Sequence, residues 1–391
     1  MPEQPPARRR VEFIDLLRGW AVIVMIETHV FGATLTPDIT ASGLFQVIKF
    51  VNGLVAPSFL FASGMAYAVT TRRKINDYLS FGWPLFRQLG RLLFVLLIGY
   101  ALHIPKFNYT HLRYEAGEEA WNIFWQADVL QCIAVSLLLL QILLLVLRSE
   151  RRLYNVIAWA TGIILAATPL VWGTDFRTIL PVPLAAYMNG LHESLFPLFP
   201  WSAFLFSGAL AGYAYTQARD GDAATPGQDR VGSTMKRMAI GGVILIVASF
   251  PLHFLSALVY PTYDFWRFSP AFTLLRTGIV LLLCAGLFLQ ERTRGVSPKS
   301  PVTLMGRESL LVYATHLMLV YGKFGYFTFA DRVQHSFGYG EASLAALLLI
   351  GAMYVLALVW TKIKAAPPPR RRIVQGVVLA AFVLVFFFGP N

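Results

Sequence analysis

Two residues that could do chemistry, Arg18 and His29, lie inside one apolar stretch near the start of the chain, VEFIDLLRGWAVIVMIETHVFGA. Charged and titratable side chains are costly within a bilayer, so their presence indicates a functional site. A separation of eleven residues makes three helical turns plus roughly 20° and a rise of about 16 Å, so both side chains share one helix face. Asp15 falls on nearly the same face. This polar stripe is typical of a pathway or reaction chamber within a membrane.

His29 lies near the outer end of its predicted span, and we interpret it as a general base because imidazole exchanges protons near neutral pH. The alternative is a hydrogen bond between helices, which is common for polar residues in membranes. Asp128, Arg276, Tyr313 and His316 are predicted at a similar depth. Asp128 is the best candidate for orienting a histidine or pairing with Arg276. Arg276 or Tyr313 could stabilise an oxyanion.

A second group of candidate residues is basic. Arg87 and Arg91 are four residues apart, so they share a face at the inner end of the third predicted span. Together with Arg18 they predict a cationic cluster on the cytoplasmic side, and the arginine side chain suits bidentate recognition of phosphate. The alternative is that these arginines extend towards lipid headgroups. Asn52 lies near the middle of the second predicted span.

The composition indicates a polytopic membrane protein. Of 391 residues, 56% are hydrophobic and only 14% are charged, whereas soluble proteins carry about 25% charged residues. Hydropathy predicts eleven spans, most of them with the ~20 apolar residues that cross the hydrocarbon. They fall at about 12–33, 43–70, 84–105, 124–147, 153–172, 196–218, 237–259, 270–290, 302–322, 342–361 and 373–389. We therefore expect an all-α, polytopic fold and a single transmembrane domain over residues 1–391, of which residues 1–11 form a basic cytoplasmic segment.

The net charge of +12 follows the topology of the chain. With a cytoplasmic N-terminus, the inner segments hold 22 Lys and Arg residues and the outer loops hold six. This distribution obeys the positive-inside rule, so we predict a C-terminus outside and no binding of nucleic acid. The sequence places the protein in a membrane, in contact with its lipids, and we expect the inner membrane of a bacterium.

Several other chemistries and functions find little support in the sequence. No pair of histidines or of glutamate and histidine has the spacing of a helical metal site, and no phosphate-binding loop or nucleophile elbow is present. A transporter or flippase remains the alternative function, although no internal repeat supports it. His103 ends its predicted span, where an interfacial or loop-capping role is the favoured interpretation. The aromatic and charged outer loop 106–121 could cap an outward cavity, and Gly208 and Gly212 predict close helix packing.

At this point several segments resemble one family. FIDLLRGWAVIVMIETH is similar to the opening helix of transmembrane acyltransferases of the heparan-α-glucosaminide N-acetyltransferase type. The segments FVNGLVAPSFLFASGMA, DVLQCIAVSLLL, PLFPWSAFLFSGALAG and MGRESLLVYATHL follow in the order of the family. The spacing of Arg18 and His29 also resembles that of the O-acyltransferases of the wider type-three membrane acyltransferase superfamily.

The resemblance implies an enzyme that takes an acyl group, commonly acetyl, from cytoplasmic acyl-CoA. It implies transfer to an amine or hydroxyl of a glycan or glycolipid at the outer, periplasmic side, with acetyl-CoA as donor and no metal. It assigns Arg18, Arg87, Arg91 and Asn52 to the donor. In the heparan enzyme the catalytic histidine follows the first span, but residues 31–45 contain no histidine here. The O-acyltransferase arrangement therefore gives the role of base to His29.

Overall fold

The computed structural model describes residues 11–297, 299–322 and 328–388, apart from the side chains of residues 106, 370, 371, 374, 378 and 379. Within these ranges the chain forms helices, with one isolated bridge between Leu35 and Phe337. The all-α prediction is therefore confirmed. The basic residues 8–10 and the outer-loop residue 323, which were used to predict the topology, lie outside the described residues.

The helices vary from single turns to 30 residues. The first nine are α1 (Glu12–Thr34), α2 (Pro37–Thr40), α3 (Gly43–Asn52), α4 (Val55–Leu79), α5 (Trp83–Ala101), α6 (Glu118–Trp125), α7 (Val129–Leu147), α8 (Glu150–Trp172) and α9 (Val182–Ala185). The next nine are α10 (Leu198–Ala224), α11 (Arg230–Val259), α12 (Phe265–Phe268), α13 (Pro270–Arg294), α14 (Pro301–Arg307), α15 (Ser309–Tyr321), α16 (Phe329–Val333), α17 (Tyr339–Ala365) and α18 (Pro368–Phe388). Short 3₁₀ or π turns occupy Pro105–Phe107, His111–Glu115 and Phe176–Thr178.

Eight helical segments of the described chain are long and apolar enough to cross a membrane, so the chain has the character of an integral membrane protein. They are Glu12–Thr34, Gly43–Leu79, Trp83–Ala101, Val129–Leu147, Glu150–Trp172, Arg230–Val259, Pro270–Arg294 and Tyr339–Ala365. The other three predicted spans fall on α10, on α14 with α15, and on α18. The count of eleven and the sides of the two termini remain predictions.

Two of the predicted spans contain a break. The second is divided between α3 and α4, and the ninth is divided between α14 and α15 at Glu308. Both breaks belong to segments that pack against α1. A helix end inside a membrane leaves backbone groups without helical partners, which is tolerated where protein surrounds them or where they line a cavity. The breaks therefore lie where a site could form.

Helix α1 lies at the centre of the fold and packs against α4, α13, α14, α15 and α17. Its contact with α14 is close because a Cβ atom at Gly306 would overlap the carbonyl oxygen of Asp15. The predicted packing role of Gly208 and Gly212 is confirmed. They lie on α10 against the backbone of α4 at Phe61 and Met65, and a side chain at Gly208 would overlap the Phe61 carbonyl. Small residues at such crossings let two helix backbones approach closely.

Candidate active site

Helices α1 and α15 bring two histidines face to face. The ring centroids of His29 and His316 lie 5.3 Å apart, with their planes tilted by 46°. Tyr321, at the last position of α15, packs edge-on against the His29 ring at 5.5 Å and donates a hydrogen bond to the His29 carbonyl at 3.0 Å. The structure thus places together two residues that the sequence predicted separately, and it adds Tyr321 as a support for His29.

The His316 ring presents an unoccupied acceptor nitrogen. Its Nδ1 lies 2.9 Å from the carbonyl oxygen of Val312. A carbonyl can only accept a hydrogen bond, so Nδ1 carries the proton and the neutral ring leaves a lone pair on Nε2. Nε2 is buried and has no hydrogen-bond partner within the described chain. Buried polar atoms are nearly always paired, so an unpaired nitrogen beside a second histidine is a candidate for contact with a ligand.

Asp128 links the end of α7 to α15. It is the N-cap residue of α7, where its Oδ1 accepts from the Val129 amide at 2.7 Å. Its Oδ2 accepts a hydrogen bond from the Tyr313 hydroxyl at 3.2 Å and lies 3.3 Å from Nε2 of His103. The Tyr313 ring in turn lies 5.9 Å from that of His316. Asp128 therefore connects to the histidine pair through Tyr313.

This geometry gives the contacts of Asp128, which was predicted to orient a histidine or to pair with Arg276. Its described contacts are with a histidine, His103, and with the Tyr313 hydroxyl, and they do not include Arg276. His103, for which an interfacial or loop-capping role was favoured, follows the end of α5 and contacts the carboxylate of Asp128 and the amide of Gln126. Sequence spacing could not show this, because it gives the depth of a residue in the membrane without its neighbours on other helices.

Arg276 lies on α13, in a different environment. Its guanidinium carbon is 3.8 Å from the ring centroid of Phe272 and 6.0 Å from that of Trp201. A terminal nitrogen lies against Gly53, at the break between α3 and α4. Its Nε is buried without a hydrogen-bond partner among the described residues. These contacts do not include the histidine pair, but a buried N–H donor without a partner is available to a ligand.

Glu27 is a polar residue of α1 that the sequence reasoning missed. Its side chain is partly buried and accepts a hydrogen bond from Asn52 at the end of α3. Its Oε1 atom is buried without a partner in the described chain. Glu27 precedes His29 by two residues and so points to the opposite side of α1. A carboxylate inside an apolar span was the signal that could have identified it.

At the other end of α1, acidic and basic residues form ion pairs. Arg307 of α14 contacts Glu12 at 2.6 Å and Asp15 at 3.4 Å. Asp15 therefore has a structural partner that its place on the polar stripe did not predict. Arg18 donates to the carbonyl oxygen of Ala62 on α4 at 3.4 Å. Asn52 contacts Glu27. Glu27 follows Arg18 by nine residues on α1, a rise of about 14 Å along the helix.

The two remaining predicted arginines lie on α5. Both Arg87 and Arg91 are exposed, and the Arg87 guanidinium lies 5.7 Å from the centroid of the Trp83 ring. The described contacts do not draw them into a buried cluster with Arg18. Their exposed position fits either a phosphate group that docks from outside the helix bundle or a lipid headgroup.

The sequence of the first ten helices and of the first half of α11 decides the family. A model of the family described as "Heparan-alpha-glucosaminide N-acetyltransferase, catalytic" matches residues 10–246. This match covers more than half of the chain. The chain belongs to this family. No curated protein matches the chain.

Membership of the heparan-alpha-glucosaminide N-acetyltransferase catalytic family agrees with the resemblance seen in the sequence. The family is one of acetyltransferases, and the apolar helices of this chain make it a membrane member. The matched residues include Arg18, His29, Asn52 and Asp128. Tyr313 and His316 lie beyond the matched residues, and the fold places them beside α1 and α7. Among the described residues no group of three His, Cys, Asp or Glu side chains could hold a metal ion.

Proposed function

We propose that this protein is a membrane acetyltransferase that moves an acetyl group from acetyl-CoA to an amine or hydroxyl of a sugar acceptor. The observation that carries the proposal is the His29–His316 pair, in which Nε2 of His316 is buried and unpaired. The family match supports acetyl transfer as the reaction. In the proposed topology the donor arrives from the cytoplasm and the acceptor from the periplasmic side of a bacterial inner membrane.

The proposed donor site begins at the arginines. Arg18, Arg87 and Arg91 would bind the phosphates of CoA, because guanidinium groups form paired hydrogen bonds with phosphate oxygens. The pantetheine arm would then run along α1 towards His29, about 16 Å from Arg18. Asn52 lies near the histidine end, where its amide could bind the arm and where Glu27 holds it in place.

In the proposed chemistry, His29 acts as the general base. His29 is partly exposed, whereas His316 is buried, so we assign contact with the acceptor to His29. His29 takes the proton of the acceptor amine or hydroxyl while the acceptor nitrogen or oxygen forms a bond to the thioester carbonyl carbon. The tetrahedral intermediate breaks its carbon–sulfur bond, and the imidazolium returns the proton to the CoA sulfur.

The neighbouring residues have separate roles in this scheme. Nε2 of His316 is unpaired in this structure, and a rotation of the His29 ring on substrate binding would let it accept a hydrogen bond from His29, leaving the other His29 nitrogen as the base. The Tyr313 hydroxyl donates to Asp128, so its proton is engaged and we assign it to holding α15 in place. Arg276 retains an unpaired Nε–H, and for it to stabilise the negative charge of the intermediate the thioester carbonyl would have to extend from His29 towards Gly53, where the Arg276 guanidinium lies.

The proposal is tested by an acceptor screen with radiolabelled acetyl-CoA and purified protein in lipid nanodiscs. The acceptors are glucosamine, its methyl glycoside and a sugar of the same size without the amine. Label is expected in at least one of these sugars and not in a reaction with the His29→Ala variant. If no acceptor is labelled while the protein moves one of these solutes across a vesicle membrane, the protein is a transporter and the proposal is wrong.

A further inference from the structure

A cavity of about 950 Å³ lies between α5, α15, α17, α18 and the loop that follows α5. Its wall is mainly aliphatic and aromatic and includes Leu97, Ile98, Ile123, Met318, Trp360 and Phe382. The outer loop that was predicted to cap a cavity contributes Phe107, His111 and Ala120. The cavity volume is at the upper end of the range found in ordinary ligand sites. An acetyl group would fill only a small part of this volume.

The polar residues of the cavity wall connect it to the histidine site. Tyr321 lines the cavity and packs against the His29 ring. His103 lines it as well and contacts Asp128 at 3.3 Å. A molecule whose hydrocarbon part fills the cavity would therefore place a polar head beside His29.

The cavity also opens towards the outer surface of α5. Phe94 and Leu97 belong to its wall, yet 58% and 57% of their surfaces are exposed. Their neighbour Leu93 is exposed on the same helix and does not line the cavity. In a membrane-spanning helix such an apolar face meets lipid, so a chain that resides in the bilayer can enter from the side.

We propose that this cavity binds the hydrocarbon chain of a lipid-linked acceptor, whose sugar head then receives the acetyl group at His29. The inference rests on the proposed acetyltransferase function and narrows its acceptor class. The cavity opens to the side, where a molecule that resides in the bilayer can enter. This opening favours a lipid-linked acceptor as the occupant and disfavours the acyl chain of a donor, which arrives from water. Each buried methylene group strengthens binding roughly fourfold, so even a short chain should be recognised.

The test compares two acceptors with the same head, methyl glucosaminide and decyl glucosaminide, with acetyl-CoA as donor in lipid nanodiscs. Leu97→Trp would fill the mouth of the cavity, and Leu93→Trp is its matched control on the lipid-facing surface. Partition of the decyl chain into the bilayer is the same for all variants. We expect Leu97→Trp to lower the decyl-to-methyl ratio of kcat/KM at least about tenfold, and Leu93→Trp to change it less than about twofold.

Other outcomes overturn the inference in distinguishable ways. An unchanged ratio in Leu97→Trp means that the cavity does not bind the acceptor chain. If Leu97→Trp selectively slows transfer from decanoyl-CoA to methyl glucosaminide, the cavity holds the donor chain. If the variant lowers the melting temperature and slows both acceptors equally, the cavity holds a structural lipid. If the wild-type protein acetylates neither acceptor, that result contradicts the proposed function, and it contradicts this inference as well.

Discussion

His29 and His316 lie with their rings 5.3 Å apart, although they belong to helices near opposite ends of the sequence. The Nδ1–H of His316 donates to the Val312 carbonyl, and its buried Nε2 has no hydrogen-bond partner in the described part of the chain. In the proposed mechanism the two histidines have different tasks. His29 takes the proton of the acceptor, and His316 orients the His29 ring.

The different tasks predict different losses of activity. His29→Ala should lower kcat about 10²- to 10⁴-fold, the range expected when a general base is removed. His316→Ala should lower kcat less, since His29 remains as a base with a less defined orientation. Both constants are measured from acetylated product, with the amount of folded protein in the membrane as the control. A larger loss in His316→Ala than in His29→Ala would show that the roles are reversed.

Asp128 and Tyr313 should act as a unit. Asp128→Asn keeps an oxygen for the cap of α7 but loses the charge that pairs with His103 and accepts from Tyr313. Tyr313→Phe removes only the hydroxyl. Each variant should reduce kcat. The double variant should raise the activation free energy by less than the sum of the two single variants, and the difference, the coupling energy, should be about 0.5–3 kcal/mol. Strictly additive effects would contradict a functional link between these residues.

The sequence predicted the all-α character and the long apolar helices, and it singled out part of the candidate site. Apolar stretches of the length of a span predicted the long helices, because hydrocarbon requires that the backbone satisfy its own hydrogen bonds. The cost of an ionisable group in a membrane identified His29, Asp128 and His316. The breaks after Asn52 and at Glu308 were not predicted, because hydropathy averages over a window and does not register a one- or two-residue interruption.

The residues that contact Asp128 and Asp15 on other helices could not be predicted from the sequence. Asp128 was expected to orient a histidine or to pair with Arg276, and the sequence could not show that helix packing brings it to His103 and Tyr313. Asp15 was placed on a functional stripe by helical periodicity, yet α14 brings Arg307 to it. Periodicity fixes which face of a helix a residue occupies, but the neighbour on that face depends on the packing of distant segments.

The exposed arginines of α5 give a prediction about the donor. If Arg87 and Arg91 bind the phosphates of CoA, changing both to alanine should raise KM for acetyl-CoA at least about tenfold. The reason is that the lost hydrogen bonds to a charged group contribute about 1.4 kcal/mol or more to binding, and 1.4 kcal/mol corresponds to a factor of about ten. The loss should diminish at high salt, which screens exposed charges. Arg113→Ala is a suitable control, because Arg113 is also exposed and lies over an aromatic ring, that of Tyr114. An unchanged KM in the double variant would assign Arg87 and Arg91 to lipid headgroups.

The close crossing of α4 and α10 gives a prediction about stability. Gly208→Leu would drive a side chain into the Phe61 carbonyl, so we expect a loss of at least about 3 kcal/mol and little folded protein in detergent. Gly162→Ala on α8 meets no atom within 4 Å and should be neutral or stabilising by about 0.5–1 kcal/mol. Thermal unfolding followed by size-exclusion chromatography measures both. Equal stability of the two variants would contradict the packing described for α4 and α10.

The central claim, that this membrane protein transfers acetyl groups at His29, is tested most directly by counting free CoA thiol against acetylated product. The purified wild-type protein, given acetyl-CoA and an accepted sugar, should release one thiol for each acetyl group transferred. His29→Ala should release thiol at least about 100-fold more slowly. Undiminished thiol release and product formation in His29→Ala would contradict the account.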